Sequence, residues 1–175
     1  MTQPLADRLR VQCIVTDYAT AHTAVQEGAT AIQLRLKGAA TDEVVHRGEP
    51  MRRLHALFIV NDDARAALEL HADGVHLGDE DIGAERALTA GLIVGRSASH
   101  PDDAIELARN GATYIGCGPI WTTPTKLDAG EAIGVDGLAA VCRAVSIPVV
   151  AIGGVDETNA GSCIRAGAAG VAVVR

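Results

Sequence analysis

Short apolar runs alternate along this chain with longer stretches in which Ala and Leu recur at helical spacing. Each run ends in glycine or polar residues, a helix-like stretch follows, and a phrase such as GAT or ADG opens the next run. The phrase occurs in EGATAIQL, HADGVHLG, NGATYIGCG and AGAAGVAVV. Its glycine reads as a helix C-cap, with a strand starting within a few residues. The pattern predicts eight strands, over 11–16, 31–37, 57–61, 74–77, 92–97, 114–117, 148–152 and 170–174. Helices are predicted near 20–27, 41–55, 63–71, 83–90, 101–110, 136–145 and 156–166. Strands alternating with helices build right-handed βαβ units around a parallel sheet. Eight of them favour an α/β fold of the closed (β/α)8 TIM-barrel type, one domain over 1–175. A doubly wound open sheet is the alternative, but no strand opens into the G-x-G-x-x-G loop that such sheets use. The eighth strand runs to Arg175, where the sequence stops, so the barrel is expected to lack its last helix.

Composition narrows the function. The 175 residues suit one domain. Hydrophobic residues make up 48% and aromatics only 2%, so the core must be Ala, Val, Ile and Leu. Such side chains suit parallel strands covered by helices. A net charge of -7 speaks against nucleic acid as a partner. It also makes any local cluster of Lys or Arg a candidate anion site. Cys13, Cys117, Cys142 and Cys163 form no C-x-x-C pair and sit in apolar sequence. They read as four buried thiols in a reducing compartment, without zinc. The N-terminal MTQPLADRLR has no signal-peptide core, and no apolar run reaches the roughly 18 residues of a membrane span. A cytoplasmic protein with no membrane partner is expected, and a homo-oligomer is left open.

Barrel enzymes work at the C-terminal ends of their strands. The second predicted strand ends QLRLK, so period-two alternation puts Gln33, Arg35 and Lys37 on one face and two leucines on the other. Cations turned into a barrel mouth call for an anion such as phosphate or diphosphate; the alternative is solvated charge at a strand end. The third ends IVNDD, giving Asn61, Asp62 and Asp63, and the fourth is followed by Asp79, Glu80 and Asp81. Helix capping would account for any one of these acids. Together they put carboxylates on one rim, which suits Mg²⁺ shared with a phosphate. His76 reads as a hydrogen-bonded core histidine, and Ser97 falls near the mouth. The sixth strand leads into WTTPTKLDAG, which offers hydroxyls and one ammonium group just past a strand end. After the seventh, Gly153 and Gly154 let backbone approach a ligand, and the next helix, starting near Asp156, would aim N–H groups at the same rim. A plain turn is the alternative there.

Taken in order, QLRLK, IVNDD, ADGVHLGDED, GRS, GCGPIWTTPTK and AIGGV resemble the motifs of the thiamine-phosphate synthase family over nearly the whole chain. The resemblance implies a Mg²⁺-dependent transferase that joins a pyrimidine carrying a diphosphate to a thiazole phosphate, or its carboxylate, and releases diphosphate. By the same motifs, Gln33, Arg35, Lys37, Asn61, Ser97 and Lys126 would hold the pyrimidine diphosphate, with Arg35, Lys37, Ser97 and Lys126 acting in catalysis. Asp62 and Asp81 would ligate Mg²⁺. Thr123, Thr125, Gly153 and Gly154, with Val174 at the end of the eighth strand, would hold the thiazole phosphate. The segment between Lys37 and Phe58 is shorter than in the family, so its helix is expected to be short or poorly docked. Two other readings remain. The related thiazole tautomerase generally lacks the NDD and TxTK patterns found here, and a truncated, non-catalytic binder of a phosphate ligand would release no diphosphate.

Overall fold

A computed structural model describes residues 3–78, 81–122 and 130–174. Eight parallel strands close on themselves in chain order. They are β1 (Val11–Val15), β2 (Ala31–Leu34), β3 (Leu57–Asn61), β4 (Gly74–Leu77), β5 (Ile93–Ala98), β6 (Tyr114–Cys117), β7 (Val149–Ile152) and β8 (Gly170–Val174). β8 returns to β1 with Val171 opposite Val11 and Val174 opposite Ile14. The helices α2 (Tyr18–Gln26), α3 (Thr41–Gly48), α4 (Ala64–Glu69), α5 (Ala84–Thr89), α6 (Pro101–Arg109), α7 (Gly134–Ala144) and α8 (Ala160–Arg165) lie between successive strands. A short α1 (Leu5–Arg8), absent from the sequence expectation, precedes β1. Among the described residues no helix follows β8.

Alternation along each strand divides the apolar residues into two layers. Ile32, Leu34, Val60, Val75, Leu77 and Val94 face outward onto Ala- and Leu-rich helix faces. Ile115, Cys117, Val149, Ala151 and Val171 do the same on the other half. The inward set is smaller: Ile14, Ala31, Leu57, Ile59, Tyr114, Val150 and Ala172, joined by Leu5 and Leu9 from the α1 segment. Leu9 is fully buried against the ends where strands begin. Those two leucines thereby seal the barrel away from its working rim.

The repeated phrase works as expected where it holds a glycine after the helix. Gly28 and Gly167 adopt left-handed conformations there, with φ of 101° and 107°. In HADGVHLG the left-handed residue is instead His71, at φ 47°. Gly74 already lies in β4, where a Cβ would come within 2.6 Å of the Ile93 carbonyl oxygen. The helix after β2 is short, one of the two outcomes expected of it. α3 continues into a 3-10 turn over Glu49–Arg53, and Val44, Gly48 and Met51 are all buried, so this short helix is well docked. Of the four thiols, Cys142 is only half-buried and the other three are buried; none of the four is in a disulfide.

Two strand glycines make room inside the barrel. A Cβ on Gly95 would collide with the Tyr114 ring, and one on Gly116 would sit 2.8 Å from the His76 ring carbon Cε1. Gly95→Ala is therefore expected to overpack the interior and cost about 1–3 kcal/mol. Chemical denaturation checks this. An unchanged midpoint would show that the Tyr114 ring has somewhere else to go.

Candidate active site

The rim at the ends of β2, β3 and β4 gathers charge. Asp62 follows β3 and continues its ladder, its N–H donating to the His76 carbonyl at 2.8 Å. Its φ of 65° is left-handed, a conformation in which Asp and Asn are the least strained of the larger residues. Next to it, Asp63 behaves as the N-cap that its position predicts, accepting from Ala66 N at 2.8 Å. Asp81 is not a helix cap, since α5 starts at Ala84 behind Gly83. Its carboxylate turns back and accepts from Gly78 N at 2.6 Å. That leaves it beside Asp62.

Two carboxyl groups this close cannot both ionise freely. Partial burial, the Asp81 charge and a hydrogen bond to Asp81 raise the Asp62 pKa to about 6. Burial is the largest cause, and the Asp81 charge adds to it in the same direction. The Arg35 guanidinium and the Asn61 side chain act in the opposite direction. Arg35, Asn61, Asp62 and Asp81 thus form one connected cluster. Gln33 lies behind it, buried, one inward position below Arg35. β2 stops at Leu34, although Arg35 N still reaches the Val15 carbonyl at 2.9 Å. Lys37 therefore lies past the strand, in a turn and exposed, rather than on the inward face with Gln33 and Arg35. Among the described residues, no group of three or more His, Cys, Asp or Glu gathers as a metal cluster.

On the next strand, β5, Ser97 is held from below. Its Oγ lies 3.0 Å from His76 Nε2, and His76 Nδ1 lies 2.9 Å from the Tyr114 hydroxyl. His76 is the hydrogen-bonded histidine that its sequence position suggests. Sequence reasoning missed Tyr114; the signal for it was glycine inside the neighbouring strands VGRSA and YIGC.

On the far side, Gly153 and Gly154 are both left-handed, with φ of 93° and 67°. They press close beneath the loop that leaves β6. A Cβ on Gly153 would come within 2.6 Å of Pro119 Cα, and one on Gly154 within 2.7 Å of Trp121 Cβ. The Gly153 carbonyl accepts from Trp121 N at 3.0 Å and the Gly154 carbonyl from the Asn159 side chain at 2.9 Å. α8 starts later than expected, at Ala160. The amides of Thr158 and Asn159 donate to the Asp156 carboxylate, at 2.8 and 3.2 Å, so they are not directed at the rim. Val174, half-exposed, ends β8 opposite Ile14. Thr123, Thr125 and Lys126 lie outside the described residues, as do Asp79 and Glu80.

Comparison with known proteins identifies the family. The family described as thiamine monophosphate synthase matches residues 10–175. A thiamine-phosphate synthase of Chloroflexus aurantiacus is 43% identical over 162 residues, 89% of this chain and 75% of that protein. One of Pyrococcus abyssi is 44% identical over 157 residues, 86% of this chain and 75% of that protein. The solved thiamine phosphate pyrophosphorylase of Pyrococcus furiosus superposes with a TM-score of 0.89 at 37% identity, covering 98% of this chain and 88% of its own. The chain belongs to the thiamine monophosphate synthase family.

The carboxylate pair has a consequence for stability. A group whose pKa is raised by folding stabilises the fold while protonated, and that contribution is lost as pH rises through the folded value. For Asp62 the loss runs from about 4 to about 6. Asp62→Asn keeps the shape, suits the left-handed backbone and removes the charge. With EDTA present, the variant is expected to melt above the wild type at pH 7.5 and to lose that advantage near pH 4. An advantage that did not change with pH would place its cause elsewhere.

Proposed function

We propose that this barrel is a thiamine-phosphate synthase. It couples an aminopyrimidine bearing a diphosphooxymethyl arm to a thiazole phosphate, forms one C–N bond and releases diphosphate. The observation that carries the reading is the single rim on which Arg35, the Asp62–Asp81 pair and Ser97 converge from adjacent strands. A cation, two carboxylates and a hydroxyl at one mouth suit a polyanion that arrives with a metal ion.

The leaving group sets the demands. An aminopyrimidine stabilises positive charge on its methylene carbon, so the bond to diphosphate can break before the new bond forms. The barrier is then mostly charge separation, and donors fixed in advance around the departing oxygens lower it. Arg35, Lys37, Ser97 and Lys126 are assigned that task, with Gln33 and Asn61 holding the pyrimidine diphosphate. The thiazole nitrogen brings its own lone pair, so no base is needed at the nucleophile. Thr123, Thr125, Gly153, Gly154 and Val174 are assigned to the thiazole phosphate, which places the two substrates side by side. At Gly153 and Gly154 the support is backbone held open by left-handed conformations.

Asp62 and Asp81 fit Mg²⁺. They offer hard carboxylate oxygens, and their mutual repulsion, visible in the raised Asp62 pKa, is what a divalent cation relieves. When bound there, Mg²⁺ would spread the charge that grows on diphosphate. A cytoplasmic setting completes the reading, supported by four cysteines that form no disulfide. No helix among the described residues is long and apolar enough to cross a membrane.

Diphosphate release from the two substrates with Mg²⁺ tests the assignment. A synthase releases it, a tautomerase alters only the thiazole, and a binding protein does neither. Asp62→Asn and Asp81→Asn are each expected to weaken activity at limiting Mg²⁺, by at least the roughly 10–100-fold that even an outer partner contributes to a metal site. Excess Mg²⁺ should restore part of it; full activity in both variants at limiting metal would remove the metal assignment. Lys126→Ala is expected to lower kcat by about 10²–10³ with little change in KM, as for one preorganised donor. A pure KM effect would make Lys126 a residue that only recruits substrate.

A further inference from the structure

We propose that Tyr114 and His76 are positioning residues that hold the Ser97 hydroxyl as a hydrogen-bond donor toward an anion in the barrel mouth. The proposal rests on reading that mouth as a diphosphate site. Its substance is the direction of a file of hydrogen bonds, Tyr114 Oη to His76 Nδ1 at 2.9 Å and His76 Nε2 to Ser97 Oγ at 3.0 Å.

A serine hydroxyl carries one proton. If Ser97 gives that proton to His76, it can only accept from the mouth and would repel an anion. If it receives a proton from His76 instead, its own O–H is left for the mouth. The tautomer of His76 decides between these cases, and the group at Nδ1 decides the tautomer. Tyr114 is fully buried, and desolvation drives its pKa far up, so the phenol keeps its proton. Donating to Nδ1, it leaves neutral imidazole with its proton on Nε2, pointed at Ser97. The opposite order would oblige the phenol to send its proton elsewhere. A second polar group at the phenol is the buried Gln12 amide. It pulls the phenol pKa down, as a donor facing the oxygen does. Gln12 Nε2 makes no full hydrogen bond of its own, so it is a donor in need of an acceptor. A donor on that side leaves the phenol proton to His76.

The surroundings are shaped for this file. Tyr114, His76 and Ser97 stand on three adjacent strands, with His76 opposite Gly95 and Ser97 opposite Gly116. Gly95 leaves space for the phenol ring and Gly116 for the imidazole. The rings lie 5.4 Å apart at 45°, each limiting how the other can turn. A hydroxyl aimed in this way needs no reorientation when charge develops beside it.

The test uses the whole chain and two kinds of readout. Long-range ¹H–¹⁵N spectra of the wild type report the His76 tautomer directly. The Nε2–H form is expected, and Tyr114→Phe should leave a mixture; the Nδ1–H form in the wild type overturns the proposal whatever the protein binds. Calorimetric titration with inorganic diphosphate and Mg²⁺ then reads the effect on the mouth. Ser97→Ala and Tyr114→Phe should each weaken binding about tenfold, the weight of one hydrogen bond to a charged group. The double variant should be no weaker than Ser97→Ala alone, because the two act through one hydroxyl. His76→Gln, which keeps a donor amide near Ser97, should hold affinity better than His76→Leu. Additive losses, or equal losses in the two His76 variants, would overturn the positioning role in favour of plain packing. A wild type with the Nε2–H tautomer that binds no diphosphate would overturn the reading of the mouth, and the anion with it.

Discussion

Closure of the sheet is the constraint on which everything else depends. Each strand is hydrogen-bonded on both sides, and β8 completes the circle against β1. A slip of one residue anywhere would turn a whole strand inside out. The parity that sends Leu34, Val60, Leu77 and Val94 outward therefore sends Gln33, Asn61, His76 and Ser97 inward, with no freedom to choose. Leucine and valine under the helices fix this parity, since exposing them would forfeit about 1.5–3 kcal/mol each. The polar residues of the mouth are held in place by the apolar residues behind them.

That dependence explains which features could be read from sequence. β3, β4, β6 and β8 fall where alternation and flanking turns put them, because the two-residue period is local. Asp63 was also legible, as a capping residue speaks only to the amides just after it. Lys37 was not. Alternation extended through QLRLK assumes a strand that continues, whereas β2 ends with its neighbours and the chain turns away. Asp81 was legible as an acid near a rim, but its turn back to Gly78 and its place beside Asp62 depend on how two loops meet. α1 carries too few residues for a periodic signal, and its two leucines matter only once a barrel exists to be closed. Tyr114 shows the limit most clearly. Its environment is set by glycines on β5 and β6 and by a histidine on β4, and no window along the chain contains all of them.

Inside the barrel, polarity rises along the axis. At the ends where strands begin, leucines of the α1 segment pack on Ala31, Leu57 and Val150. Midway come a phenol and an imidazole, groups that can hydrogen-bond to each other without carrying charge. Only at the rim do Arg35, Asp62 and Asp81 appear, where water reaches them. Charge placed deeper would demand a permanent partner. Charge placed further out would be screened by salt, whose influence at physiological strength sets in over about 8 Å.

Among the described residues Arg35 does not fully offset the Asp62–Asp81 pair, which suits the proposed binding role better than a structural ion-pair network. Arg35 pulls the Asp62 pKa down, yet Asp81 and partial burial outweigh it, leaving Asp62 near 6. Here the carboxylates oppose each other, and the proposed file of hydrogen bonds would turn the Ser97 hydroxyl toward the mouth. In the proposed reading a metal ion would relieve the first condition and a phosphate oxygen would satisfy the second. The two are complementary to each other, so either one makes the other easier to bind. For a barrel with a net charge of -7, such a local arrangement would let a polyanion approach, the cation that neutralises the acids also carrying the substrate's charge.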